Sequence, residues 1–122
     1  MSTERPDIAC FTETWLKDSI DDNVIDISDY SVVRKDRLHA QHGGVCMYIK
    51  NGLKFSRLNE YEYSTSNEVL WCKLQPHRLP RGYSCLIIAV VYHPPTSDDE
   101  YLNSYLLDTM GIIESSFPQA AV

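Results

Sequence analysis

Apolar residues along this chain fall into short runs and alternating stretches, a pattern that predicts β-strands. The first run, Ile8 to Phe11, is continuous, as in strands that are buried on both faces of a sheet. Further strands are predicted at Tyr30 to Arg34, Val45 to Lys50, Glu68 to Leu74 and Ser84 to Tyr92. The last of these is the most hydrophobic run in the chain, so we expect it to lie at the centre of a sheet.

Turn-forming residues predict how two of these strands are connected. Asn51-Gly52 is a strong hairpin signal, which predicts that Leu53 to Leu58 pairs with the strand before it. His93-Pro94-Pro95 ends the last strand, because proline lacks a backbone donor and restricts the residue before it.

A helix is predicted after the last strand, from about Asp98 to Ser116. Ser97 and Glu100 have the spacing of a capping box, with Ser97 as the N-cap. A stripe at helical spacing is expected to pack on the sheet and consists of Tyr101, Leu102, Tyr105, Leu106 and Met110. Thr14 to Ile20 has a weaker helical pattern and precedes an acidic loop.

Composition describes an ordinary globular chain with one core. It has 122 residues, of which 43% are hydrophobic and 23% are charged, enough for one domain or part of one. No apolar run has the roughly 18 residues of a membrane span, and the N-terminus lacks the pattern of a signal peptide. We therefore expect an intracellular protein, nuclear or cytoplasmic.

The cysteines and the net charge narrow the function classes. The four cysteines lack any metal-ligand spacing, and their apolar surroundings predict buried thiols of a reducing compartment, although a disulfide stays open. The net charge of −6 argues against bulk electrostatic binding of nucleic acid, which needs a basic face. An acidic enzyme can still act on a phosphodiester when a metal and a few cations contact it.

Two predicted strands end in polar side chains that are suited to chemistry. Glu13 follows the first strand, and Tyr92 with His93 closes the last one. A carboxylate at such a strand end can coordinate Mg²⁺ together with water and substrate phosphate oxygens. Taken alone, Glu13 is better explained as an exposed carboxylate, and Tyr92 as an aromatic residue at the edge of the core. If the two strands are neighbours, carboxylate, phenol and imidazole meet on one rim.

Five segments that span nearly the whole chain carry a resemblance. They are Pro6 to Leu16, Tyr30 with Arg34 to Arg37, Gly43 to Lys50, Glu68 to Leu74 and Val90 to Pro95. In this order they resemble the endonuclease/exonuclease/phosphatase superfamily, and within it the apurinic-type endonuclease domain of non-LTR, LINE-like retrotransposons. Each segment alone is weak, whereas their conjunction is specific.

The resemblance implies an α/β fold of the DNase I-like type. The expected architecture is a partial four-layer α/β sandwich, in which two mostly antiparallel sheets face each other, with a late C-terminal helix. Residues 1–122 are expected to form a single partial domain of this superfamily. The implied partner is DNA, and the parent protein is expected to carry a reverse transcriptase domain downstream.

The resemblance also implies roles for individual residues. Glu13 matches the metal-binding glutamate, so Mg²⁺ or Mn²⁺ is the cofactor expected in the complete domain. Tyr92 matches a tyrosine that contacts the scissile phosphate or helps to orient the nucleophile. Arg34, Lys35 and Arg37 match an Arg-x-Asp-Arg segment, for which phosphate contact and structural salt bridging are equally open. His93 lies where the family often has a basic residue, which predicts a contact with the DNA backbone.

Three elements of the family's site have no match in this sequence. They are the first-strand asparagine, the Gly-Asp-x-Asn strand that would follow Val122, and the Ser-Asp-His element that supplies the general base. We therefore expect a fragment truncated at both ends, with one sheet incompletely covered and without useful cleavage activity on its own. Two other functions stay open: a non-catalytic remnant that acts as a binding module, and a phosphatase of the same superfamily.

Overall fold

The computed structural model describes residues 6–12, 14, 25–35, 44–62, 68–94 and 98–122 of the chain. These residues form a mixed α/β structure, mostly of antiparallel strands, with a helix near the C-terminus. The strands are β1 (Ile8–Thr12), β2 (Tyr30–Lys35), β3 (Val45–Lys50), β4 (Lys54–Arg57), β5 (Glu68–Gln75), β6 (Cys85–Tyr92) and β7 (Ala120–Ala121). The helix α1 spans Asp99–Ser116, and a 3₁₀ turn spans Asn59–Tyr61. The predicted strands and the predicted helix are thus confirmed.

The described strands form two sheets. Sheet A has the order β1-β3-β2, and sheet B has the order β4-β5-β6-β7. Neighbouring strands are antiparallel, except that β7 runs parallel to β6. Because β6 has neighbours on both sides, the prediction that it is a central strand is confirmed.

The predicted hairpin at Asn51-Gly52 is wrong in its pairing. The two residues do form a tight turn, in which the Leu53 amide donates to the Lys50 carbonyl at 3.2 Å and Gly52 has a φ of +99°. The strand that follows nevertheless pairs with β5 in sheet B. The reason is that β1 and β2 already occupy both edges of β3. The turn therefore leads the chain from one sheet to the other.

Sheets A and B face each other across an apolar core. Its fully or almost fully buried members alternate along the strands and are Val45, Met47 and Ile49 of β3, Leu70, Cys72 and Leu74 of β5, and Val90 of β6. Each is at most 5% exposed. This alternation follows from the period of two that strand geometry imposes on side chains. It also fixes which residues of each strand point between the sheets.

The helix α1 packs against the other face of sheet B. Tyr105 and Ile113 of α1 join a second buried cluster, whose other members are Leu58, Val69, Trp71 and Ile87. The Trp71 indole Nε1 donates a hydrogen bond to the Tyr105 hydroxyl at 2.8 Å, and this hydroxyl donates to the Tyr61 carbonyl. The described residues thus stack in three layers: sheet A, sheet B and α1.

The start of α1 differs from the prediction. Asp98 is the N-cap, with an extended backbone (φ −75°, ψ 123°), and its carboxylate accepts a hydrogen bond from the Glu100 amide at 2.9 Å. The predicted cap, Ser97, lies outside the described residues. Tyr101, which the spacing placed on the buried stripe, is 39% exposed because the face that packs on sheet B is centred on Tyr105. Within the described ranges, no helix is both long and apolar enough to cross a bilayer.

The outer face of sheet A is incompletely covered. Phe11 and Tyr48 form an edge-on ring pair on this face, with centroids 5.8 Å apart, and Phe11 is 49% exposed. They border an apolar groove of about 320 Å³ that Ala9, Ile27 and Tyr30 also line. The expectation of one incompletely covered sheet stays a prediction, because the segments that flank β1 and β2 lie partly outside the described residues.

Candidate functional site

One end of the two-sheet core gathers the strand ends that the sequence singled out. This end, called the rim here, is where β1, β2, β4 and β6 end and where β3 and β5 begin. In sheet A the register pairs Thr12 and Lys35, the last residues of β1 and β2, with Val45. In sheet B it pairs Tyr92, the last residue of β6, with Glu68. β1 lies against β6, and β2 lies against β5. The first and last strands therefore lie against each other, in facing sheets.

Two hydrogen bonds tie the sheets together at the rim. Arg57 at the end of β4 donates from Nη1 to the Arg34 carbonyl at 3.2 Å. The Lys35 ammonium donates to the Glu62 carbonyl, also at 3.2 Å. Each bond joins the end of β2 to the chain near the end of β4, where Arg57 pairs with Cys72 of β5.

Glu62 is the hub of this connection. Its carboxylate accepts hydrogen bonds from Arg57 Nη2 at 2.7 Å and Nε at 3.1 Å, and from the Trp71 amide at 3.0 Å. The Glu62 side chain is only 5% exposed, whereas that of Arg57 is 32% exposed. A forked guanidinium facing a carboxylate is the strong, directional form of ion pair. We call these contacts the Arg57–Glu62 clamp; the sequence analysis did not anticipate it.

The clamp acts on Cys72, which lies beneath it in the inter-sheet core. Burial, as the largest cause, and the negative charge of Glu62 together raise the pKa of this thiol from 9.0 to about 11, whereas Arg57 acts in the opposite direction. Such a thiol stays protonated and unreactive at neutral pH. All four cysteines are thiols, and three are buried as predicted, but Cys10 is exposed because it lies on an edge strand.

Tyr92 lies at the rim on the inter-sheet face of sheet B. It packs partly buried against the core cluster that contains Val90, two residues earlier on the same strand. The position of its ring between the sheets follows from the alternation along β6. Tyr92 therefore lies at the end of the last strand, as predicted, and its catalytic role stays a prediction.

Glu68 is a rim residue that the sequence analysis missed. It is the first residue of β5 and the register partner of Tyr92, and it is 8% exposed. It has the same phase as the buried residues Leu70 and Cys72, so its carboxylate lies on the inter-sheet face. Burying a carboxylate costs free energy unless polar groups compensate it, which makes a position like this unusual for a purely structural residue. A charged residue in phase with buried apolar ones was the signal that could have found it.

Arg34 and Lys35 point to opposite faces of sheet A. Arg34 pairs with Cys46, whereas Lys35 pairs with Val45, which belongs to the inter-sheet core. Lys35 is therefore on the inner face at the rim, and Arg34 is on the outer face. Arg34, the residue that the sequence predicted as a phosphate contact, joins the rim through its carbonyl, which Arg57 binds.

His93 follows Tyr92 and is held by the start of α1. Its Nε2 lies 2.6 Å from Asp99 Oδ1, and the side chains are 24% and 87% exposed, respectively. The pair fixes the orientation of the imidazole next to the rim.

Two of the predicted site residues, Glu13 and Arg37, lie outside the described residues. The backbone on either side of Glu13 continues along β3, since Thr12 pairs with Val45 and the Thr14 amide donates to the Gly44 carbonyl at 3.3 Å. The rim thus brings together Tyr92, His93 and the chain that flanks Glu13.

The described part of the rim offers oxygen ligands but not a complete metal site. Glu68 and Tyr92 supply a carboxylate and a phenol, the hard donors that Mg²⁺ prefers. Over the described ranges, no group of three or more His, Cys, Asp or Glu side chains is arranged to hold a metal ion. The predicted metal ligand, Glu13, lies outside these ranges, so Mg²⁺ or Mn²⁺ as the cofactor stays a prediction.

Comparison with known proteins found no matching family model, no matching curated protein and no matching solved structure. The link to the retrotransposon endonucleases therefore rests on the five sequence segments.

Proposed function

We propose that this chain is part of a metal-dependent DNA endonuclease domain of the endonuclease/exonuclease/phosphatase type, as in non-LTR retrotransposons. The complete domain would have the DNase I-like four-layer fold and would nick target DNA by hydrolysing a phosphodiester. The observation that carries the proposal is the rim, because the two strands whose ends bear Glu13 and Tyr92 end on the same side of two facing sheets. The short strand β7, which pairs in parallel with β6 after α1, supports the proposal, because the family also has a strand after its long helix.

The residues of the rim suit different parts of this reaction. A divalent cation, when bound, would stabilise charge on the phosphodiester and orient the attacking water. Glu13 would hold the cation through its carboxylate. Tyr92 would donate its phenolic proton in a hydrogen bond to the scissile phosphate, which keeps the phosphorus at the rim. His93, oriented by Asp99, would contact a neighbouring phosphate of the same strand.

We also propose that this 122-residue chain does not cleave DNA by itself. No segment of it matches the Gly-Asp-x-Asn or Ser-Asp-His elements, which position the nucleophilic water and accept its proton in the family. Groups that act as a catalytic unit lose several orders of magnitude in rate when one is removed. In this proposal the missing groups come from flanking segments of the same reading frame.

Nicking of supercoiled plasmid in Mg²⁺ tests the proposal. We expect no nicking by the 122-residue chain and clear nicking by a longer protein translated from the same frame with its flanking segments. Glu13→Ala should abolish the activity, whereas Glu60→Ala, the same change on the exposed 3₁₀ turn, should leave it intact. A frame that continues into Gly-Asp-x-Asn after Val122 would support the same conclusion before any assay.

Three results contradict the proposal and indicate what replaces it. Nicking that is insensitive to Glu13→Ala refutes the site assignment. Release of phosphate from small phosphoesters without nicking indicates a phosphatase of the same superfamily. Binding of DNA or protein without hydrolysis by the longer protein indicates a non-catalytic binding module.

A further inference from the structure

Lys35 differs from the other cations near the rim in what surrounds its charge. Arg57 is bound to Glu62 in the clamp, and His93 is bound to Asp99. The Lys35 ammonium instead donates to a neutral acceptor, the Glu62 carbonyl. Among the described residues no carboxylate forms an ion pair with it. Lys35 therefore brings to the rim a positive charge that no carboxylate of the described residues pairs with.

Lys35 is also placed by the fold rather than loosely exposed. Its register partner Val45 belongs to the inter-sheet core, and Val33, two residues earlier on the same face, packs against that core. The residue is half-buried, and its hydrogen bond to the Glu62 carbonyl spans the gap between the sheets. A lysine ammonium has three donors, so two remain directed away from this carbonyl.

We infer that Lys35 binds a phosphate oxygen of DNA at the rim and that Arg34 does not, an inference that rests on the proposed endonuclease function. A half-buried ammonium without a counter-charge attracts an anion more strongly than an exposed one, because the surrounding dielectric is lower. Tyr92 lies on the facing sheet, on β6, the neighbour of the strand β5 against which β2 packs. Facing sheets are about 10 Å apart, and both side chains lie on the faces that border the gap between them.

Salt-dependent binding of a fluorescein-labelled DNA duplex to the 122-residue chain tests the inference. The measurement is made in EDTA between about 20 and 200 mM salt, where each phosphate contact contributes about 0.9 to the slope of log K against log salt. Lys35→Gln should lower this slope by about one and weaken binding at low salt by about tenfold. Lys35→Arg should restore both, since it keeps the charge.

Two matched variants separate this contact from general charge effects. Lys54→Gln makes the same change of charge on an exposed residue at the opposite end of sheet B, and it should leave the slope unchanged. Arg34→Gln removes the neighbouring cation on the outer face and should likewise have no effect. Melting temperatures of all variants establish that they are folded. Should Lys35→Gln unfold, the Lys35→Arg variant decides the question: DNA binding as tight as that of the unchanged chain supports the contact.

An unchanged slope for Lys35→Gln overturns the inference, as does an equal decrease for Lys54→Gln. A decrease for Arg34→Gln alone also overturns it, in favour of the contact that the sequence predicted. These results leave the plasmid-nicking test of the proposed function untouched. Conversely, suppose that nicking is insensitive to Glu13→Ala while the salt slope of DNA binding depends on Lys35. This combination would refute the metal site and retain the phosphate contact.

Discussion

Removal of Glu62 should be the most destabilising single change at the rim. In Glu62→Ala the Trp71 amide loses its acceptor in a buried environment, which costs about 1–3 kcal/mol. The guanidinium of Arg57 also loses its partner, but because that side chain is 32% exposed, water replaces the carboxylate and the loss is only about 0.5–1 kcal/mol. The sum, about 1.5–4 kcal/mol, is a large part of a typical stability of about 5–15 kcal/mol.

Urea denaturation followed by tryptophan fluorescence measures this loss. With an m-value of about 1–3 kcal/mol per molar urea, the midpoint should fall by about 1–2 M. Glu60→Ala, a matched change on an exposed residue two positions away, should alter stability by no more than about 0.5 kcal/mol. A double-mutant cycle with Arg57→Met then isolates the ion pair from the Trp71 contact, and it should give a coupling of about 0.5–1 kcal/mol. A loss below about 0.5 kcal/mol for Glu62→Ala would refute the reasoning.

Three further predictions concern the core and the helix. Tyr105→Phe leaves the Trp71 indole without its acceptor and should cost about 1–3 kcal/mol in the same denaturation assay, whereas Tyr101→Phe, on an exposed residue, should cost less than about 0.5 kcal/mol. Because the folded pKa of Cys72 is raised from 9.0 to about 11, its contribution is complete below pH 9 and is lost as the pH rises through 11, with a slope of at most about 1.4 kcal/mol per pH unit; Cys72→Ala should lack this part of the slope, and identical pH profiles would contradict it. Asp98→Ala removes the helix cap and should cost about 1 kcal/mol, with a proportional fall in melting temperature.

The sequence predicted the strands well because their signals are local. The period of two and the apolar runs determine where β3, β5 and β6 begin and end within one or two residues. Strand pairing was different: Asn51-Gly52 makes its turn, yet the next strand joins the other sheet because the edges of β3 are occupied. The hairpin signal carries no information about a competing partner that lies elsewhere in the chain.

The candidate site shows the same division between local and long-range information. Tyr92 and His93 could be placed at a strand end from the sequence, since prolines stop β6. The clamp between Arg57 and Glu62 could not be predicted from the sequence. Its third member, the Trp71 amide, comes within hydrogen-bond distance of Glu62 only in the folded chain. The chemistry of Arg34 and Lys35 left phosphate contact open for both, whereas the face that each residue occupies depends on the register with β3.

Once the register is known, the polar residues at the strand ends locate the rim without reference to any family. On the inter-sheet face, the residues nearest the rim are polar on four strands: Thr12 on β1, Lys35 on β2, Glu68 on β5 and Tyr92 on β6. Two residues further in, the same face is lined by Cys10, Val33, Leu70 and Val90. On each of these four strands the inter-sheet face is thus apolar up to the residue nearest the rim, and that residue is polar, which breaks the pattern.

Such a break costs stability where the polar group is buried, as for the carboxylate of Glu68. Val45 of β3, at the same end, is apolar and fully buried, so a polar residue is not required there. Under the proposed function, the four coincident breaks, one of them a buried carboxylate, would face the substrate and its cation. A phosphodiester has the charge for the Lys35 ammonium, and a divalent cation has the charge for the Glu68 carboxylate.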